Sequence, residues 1–204
     1  MSLLRLFIAI RFPASLQEAV FRQTSRLRES AGSDAVRWIP PANLHLTLKF
    51  LGDAAPSSLA FLDQMLSAQA AGCPPFRISL GGLGAFPNSR RPRVVWVGIQ
   101  APPVLQALQR QIENAAARLG YAPEDRSFSP HLTIGRVRQS ASAADQIKLR
   151  QALDSFQLGR IGETRIDSVV LMKSDLQPTG SVYTPLFAAP LAALQDLEVK
   201  SENH

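Results

Sequence analysis

Only one cysteine, Cys73, occurs in the 204 residues. A single thiol excludes an internal disulfide and a multi-cysteine metal cage, and a reducing, cytoplasmic setting is the expectation that follows. Histidine is almost as scarce, with three residues, and tyrosine and tryptophan contribute two each. No apolar stretch approaches the ~18 residues that a membrane-spanning helix needs. The opening Leu3-Leu4-Arg5-Leu6-Phe7-Ile8-Ala9-Ile10-Arg11 lacks the basic start of a signal peptide and is interrupted by Arg5. It therefore reads as a first strand. A phosphate-cradling loop is missing too, because Gly81-Gly82-Leu83-Gly84 has neither the spacing nor the following lysine of one.

What is present suits a folded chain. Hydrophobic residues make up 46% and charged residues 19%, enough to build a core and to exclude general disorder. Lysine and arginine outnumber the acids 22 to 16, a net charge of +6. That surplus permits a polyanionic partner such as RNA without requiring one.

Apolar periodicity predicts strands over 3–12, 44–51, 76–81, 93–100 and 131–138, and near 165–172 and 181–187. Helices are expected over 14–30, from Pro56 onward, over 103–119 and near 143–156. The glycines and prolines between 81 and 92 read as a loop. Strands and helices alternate without a regular βαβ series, which points to an α+β or mixed-sheet architecture and away from a doubly wound one. Residues 1–190 are expected to form one domain, with 191–204 a polar tail.

Two of the three histidines occur in matching settings. His45-Leu46-Thr47-Leu48 and His131-Leu132-Thr133-Ile134 lie 86 residues apart. Threonine is about 3% of the chain, so its recurrence at the same offset after both histidines is roughly a one-in-a-thousand coincidence. Side chains alternate along a strand, so each His and Thr share one face while the aliphatic residues anchor the other. A lone strand histidine is usually structural; its duplication argues otherwise. If the copies face each other across a cleft, two imidazoles and two hydroxyls surround a small anion.

Such a site suits phosphodiester chemistry. Near neutrality one imidazole can be neutral and take a proton from water while the other, protonated, supplies one to the leaving oxygen. The hydroxyls of Thr47 and Thr133 can donate to non-bridging phosphate oxygens. This scheme calls for no metal or other cofactor. A zinc site is the next reading, but two histidines need a third ligand, and neither Asp53, Asp125 nor His204 falls at ligand spacing.

The resemblance runs through several segments in order. They are Arg5-Leu6-Phe7-Ile8-Ala9-Ile10, Arg37 to Gly52 around the first motif, Arg91 to Gly98, Phe128 to Arg136 around the second, Leu171 to Ser174, and Gly180 to Tyr183. In these the chain resembles the 2H phosphoesterase superfamily, and within it the RNA 2′,3′-cyclic phosphodiesterase branch, also called the 2′-5′ RNA ligase family. The resemblance implies an α+β fold of two pseudo-symmetric lobes, mostly antiparallel sheet with helices outside and the active-site groove between the sheets. It implies hydrolysis of RNA 2′,3′-cyclic phosphate ends to 2′-phosphates, with reverse 2′-5′ RNA ligation as a side activity. His45 then corresponds to the proton donor and His131 to the proton acceptor. Thr47, Thr133 and Arg136 correspond to phosphate-binding positions, and Phe7 to an aromatic position that can line the groove and stack on a base. A small cyclic nucleotide or a 2′-5′ oligonucleotide as substrate, or a non-catalytic RNA-binding module, remain the alternatives. The Arg90-Arg91-Pro92-Arg93 run can track an RNA backbone or stand as a solvated loop, and Lys49 can add positive potential beside His45 or reach solvent. No membrane association is expected, and a monomer is the simplest state.

Overall fold

The computed structural model describes residues 2–32, 35–177 and 180–192. Its first strand explains its own composition. In β1 (Leu4–Arg11) every residue from Leu6 to Ile10 is buried, as happens when both faces of a strand are covered. Leu6, Ile8 and Ile10 enter the main core, while Phe7 and Ala9 form a second small cluster with Val170 and Met172.

Among the described residues nine strands form two antiparallel sheets. Besides β1 they are β2 (Val36–Trp38), β3 (His45–Ala54), β4 (Phe76–Phe86), β5 (Val94–Gln100), β6 (His131–Val137), β7 (Arg160–Ile166), β8 (Ser168–Gln177) and β9 (Gly180–Pro190). One sheet has the order β3-β1-β8-β9 and the other β2-β6-β5-β4-β7. The α-helices among the described residues are α1 (Ala14–Gln23), α2 (Ser25–Ala31), α3 (Leu59–Ala71), α4 (Pro103–Arg118) and α5 (Ala143–Ser155). The expected α+β fold of two lobes is the fold observed.

The lobes exchange helices. α1 follows a strand of the first sheet but packs on β7 of the second, and α4 follows β5 of the second sheet but packs on β3 of the first. One continuous hydrophobic cluster therefore includes residues of both lobes. The strands carrying the two motifs, β3 and β6, come together where the sheets meet.

Three departures from the expected elements have local causes. The helix expected over 14–30 breaks at Thr24, whose Oγ1 donates to the Val20 carbonyl at 2.8 Å and accepts from Arg28 Nη1 at 2.8 Å. Such back-bonding competes with the helical ladder. The segment read as a glycine loop instead continues as β4 through Phe86. There Gly82, at φ +72°, serves a bulge, and Gly84 leaves room for the Trp96 indole of the neighbouring strand, with which a Cβ would collide. The strand expected near 165–172 is two strands, β7 and β8, turning at Asp167.

Leu191 is buried and its N–H donates to the Asp167 carbonyl at 2.7 Å; the Ala192 N–H donates to the Cys73 carbonyl at 2.9 Å. Residues 193–204 of the expected tail lie outside the described residues. Among the described residues no helix is long and apolar enough to cross a membrane.

Candidate active site

β3 and β6 are built alike. Each begins with its histidine and shows the same burial sequence over its first six residues: His and Thr half-buried, the aliphatic residue after each buried, a fifth residue buried and a sixth exposed. Strict alternation would put the fifth residue with the histidine and the sixth on the opposite face. A bulge reverses this in both copies. Ala9 pairs with Thr47 and Ile8 with Lys49, leaving Leu48 as the extra residue; Trp96 pairs with Thr133 and Val95 with Gly135, leaving Ile134. The sixth residues, Phe50 and Arg136, thereby join the histidines and threonines on the groove side.

Lys49 shows the other consequence. Strand parity places it beside His45, but the bulge turns it inward. Its Nζ lies 2.6 Å from Glu113 Oε1 and 2.6 Å from the Ala122 carbonyl, and its side chain is 2% exposed. It adds no cation to the groove and does not reach solvent.

Both imidazoles are held in the same way. His45 Nδ1 is 2.7 Å from the Asn43 carbonyl and His131 Nδ1 is 2.7 Å from the Ser129 carbonyl. A carbonyl can only accept, so Nδ1 carries hydrogen in both rings and Nε2 is left as the working nitrogen. The carbonyls are positioned by prolines: Asn43 ends a 3-10 turn opened by Pro40-Pro41, and Ser129 precedes Pro130. The Asn43 side chain also donates to the Ser181 carbonyl at 2.9 Å, which ties this turn to β9.

Aromatic rings pack the imidazoles in place. Phe7 and Tyr183 lie 4.9 and 5.0 Å from His45, and Phe86 lies 4.9 Å from His131, centroid to centroid. Phe7 is 2% exposed and also touches Phe50 and Tyr183. It lines the floor of the groove beside His45, with little of its ring open. The exposed aromatic at the groove is Phe50, at 54%.

Between the sheets lies a groove of about 460 Å³ lined by His45, Thr47, His131, Thr133 and Arg136, all five residues that the sequence picks out for acid–base work and phosphate contact. Arg5, Arg37, Asn43, Phe50, Ser174 and Tyr183 line it as well, and among the described residues no carboxylate does. The Arg90–Arg93 run lies elsewhere, in the β4–β5 hairpin, where Asn88 Oδ1 accepts from the Arg90 and Arg91 N–H groups. Burial lowers the His45 pKa below the usual 6.5; the Asn43 carbonyl opposes this and the Arg136 charge adds to it. Of the residues that sequence reasoning missed, Phe50 had a signal, since it stands five places after its histidine as Arg136 does. Arg5 and Arg37 had none, because only strand pairing brings them to the groove.

Known proteins are similar to this chain along nearly its whole length. An RNA 2′,3′-cyclic phosphodiesterase of Methanothermobacter thermautotrophicus is 35% identical over 182 residues, covering 89% of this chain and 96% of its own. An RNA 2′,3′-cyclic phosphodiesterase of Archaeoglobus fulgidus is 35% identical over 183 residues, covering 90% and 98%. The crystal structure of E. coli LigT complexed with 3′-AMP superposes with a TM-score of 0.74 at 27% identity, over 94% of this chain and 99% of that one. The profile of the 2′-5′ RNA ligase superfamily matches residues 12–178, and the chain belongs to that superfamily.

Proposed function

We propose that this chain hydrolyses 2′,3′-cyclic phosphate ends of RNA to 2′-phosphates, with acid–base work divided between His45 and His131. One observation carries the reading: two imidazoles, each fixed at Nδ1 by the carbonyl two residues before it, open onto one groove with two threonines and, among the described residues, no carboxylate. The reaction named for the curated relatives supports it.

In the proposed step, neutral His131 takes a proton from water at Nε2 as the water oxygen attacks phosphorus. The P–O3′ bond breaks and protonated His45 gives its Nε2 proton to O3′, leaving the phosphate on O2′. One water is consumed and the proton lost by His45 is matched by the one gained by His131. The Thr47 and Thr133 hydroxyls and the Arg136 guanidinium donate to the non-bridging oxygens, where charge accumulates in the transition state. A ribose 5′-hydroxyl in place of water makes a 2′–5′ bond by the same step, which is the ligation reaction.

The lowered pKa of His45 shapes this scheme. Burial and Arg136 favour its neutral form. A cyclic phosphate carries a negative charge into the same space, which offsets Arg136 and favours the imidazolium. The acid is therefore charged by its own substrate. Phe50, exposed on the groove wall, offers the stacking surface for a base.

Both motif strands come from one chain, which supports a monomer as the working unit, with residues 1–190 as its catalytic domain. A free, buried Cys73 fits a reducing cytoplasm. Every proton transfer is assigned to a side chain, so activity is expected to persist in EDTA. The test is an oligoribonucleotide ending in a 2′,3′-cyclic phosphate, incubated in EDTA, with the product read by phosphorus NMR. A 2′-phosphate is expected. A 3′-phosphate would overturn the assignment of the leaving oxygen, and activity abolished by chelation and restored by zinc would overturn the side-chain scheme.

A further inference from the structure

Arg37 and Arg136 are directly opposed partners on the paired strands β2 and β6. Opposed residues in an antiparallel pair share a face with Cβ atoms about 5 Å apart, and like charges in that position repel. Both side chains line the groove and both residues are exposed. Among the described residues no ion pair includes either of them, or Arg5. The fold thus sets two unneutralised guanidinium groups side by side at the motif-bearing strand, with a third, Arg5, on the facing sheet. An arrangement that costs stability and lies on a groove points to an anionic ligand that removes the repulsion. One phosphate is not enough, since the cyclic phosphate held between the two His/Thr pairs already engages Arg136.

We propose that Arg37 binds the next phosphate along the RNA, the phosphodiester on the 5′ side of the terminal nucleoside. Its side chain extends the phosphate-binding row of β6 by one strand, away from β5 and toward the open edge of the sheet. The guanidinium fork gives two parallel N–H donors to such a diester. This inference rests on the proposed cyclic-phosphate reaction and narrows its substrate: the groove is built for an oligoribonucleotide end, and a nucleoside 2′,3′-cyclic phosphate, which has no 5′ phosphate, cannot use Arg37.

The test compares wild type with Arg37→Gln on two substrates, an oligoribonucleotide with a 2′,3′-cyclic phosphate end and cytidine 2′,3′-cyclic phosphate, across a salt series. Arg37→Gln is expected to lose about tenfold or more in kcat/KM on the oligonucleotide, mostly through KM, and less than twofold on the nucleoside. The slope of log kcat/KM against log salt for the oligonucleotide should flatten by about 0.7, the value for one single-strand phosphate contact. Relief of the repulsion should leave the Tm unchanged or raised. Equal losses on both substrates, or no loss on either, would overturn the proposal. Affinity for the products, an oligonucleotide 2′-phosphate against cytidine 2′-phosphate, is measured alongside. If wild type turns over neither substrate, the reaction assignment falls, and the affinity ratio still decides Arg37: it must drop in Arg37→Gln for the proposal to stand.

Discussion

His45 and His131 have the same hydrogen bond but different surroundings, and that difference is testable through pH. Below the lower of the pair's two apparent pKa values both rings are protonated and no base remains, so kcat/KM falls. His45 is held below 6.5 by burial and by Arg136, which places this acid limb below pH 6.5 in the free enzyme. Replacing Arg136 with Gln removes a cation that disfavours the imidazolium, so the His45 pKa rises and the limb moves up, even as the rate drops. A pH–rate profile of Arg136→Gln whose acid limb stays where wild type has it would break this link. Phe50 is the second residue-scale case: at 54% exposure it contributes little to the core. Base stacking on an aromatic ring is worth ~1–3 kcal/mol, so Phe50→Ala should raise KM for RNA about tenfold with kcat within about threefold and Tm nearly unchanged. An unchanged KM would return Phe50 to the role of plain surface. At this scale the sequence was informative where side-chain type and spacing recur, as in the two His/Thr pairs. It failed for Lys49, whose direction depends on which face of which strand is covered.

The bulges at Leu48 and Ile134 explain why spacing alone misplaces the elements' side chains. A period of two predicts that a residue five places after the histidine faces away from it, yet both Phe50 and Arg136 reach the groove. One extra residue in each strand resets the alternation, and nothing in the composition of Leu-Thr-Leu-Lys-Phe announces it. β2 escaped notice because three residues carry too little pattern to read, and β7 because a single residue, Asp167, divides it from β8. β4 was cut short because its glycines serve a bulge and a tryptophan and do not form a turn. β2 matters most for function, since it carries Arg37 and lies over the second bulge. A Cβ at Gly135 would stand 2.6 Å from Val36 Cγ1 and 2.8 Å from the Trp38 ring. Gly135→Ala is therefore expected to push β2 off β6, costing about 1–3 kcal/mol in denaturant unfolding and lowering oligonucleotide affinity with it. A stability equal to wild type would mean that β2 gives way freely and does not hold Arg37 in register.

For the whole molecule, the exchange of helices between lobes makes the groove a property of one core. The Lys49 ion pair extends that coupling. Lys49 on β3 reaches Glu113 on α4 and the Ala122 carbonyl, and Glu113 in turn accepts the Glu124 N–H at 3.0 Å, so the first motif strand is tied to the connection that leads to the second. Removing one partner of a largely buried pair leaves the other uncompensated. With Glu113 17% exposed, Lys49→Met should cost about 2–3 kcal/mol, part of it recovered when Glu113→Gln is added; a cost that the second change leaves untouched would mean packing, not charge, holds this corner. The two lobes and their order were legible from the repeat and the resemblance, whereas the swapped helices were not, because chain order does not record which sheet a helix covers. The central claim, that the two histidines act as one acid–base pair in one groove, is tested most directly by a double-mutant cycle. Single-turnover rates on an RNA 2′,3′-cyclic phosphate are compared for wild type, His45→Ala, His131→Ala and the double variant. Members of a unit are non-additive, so each single change should cost nearly as much as both together. Losses that multiply, or a single variant that keeps most of the wild-type rate, would contradict the account.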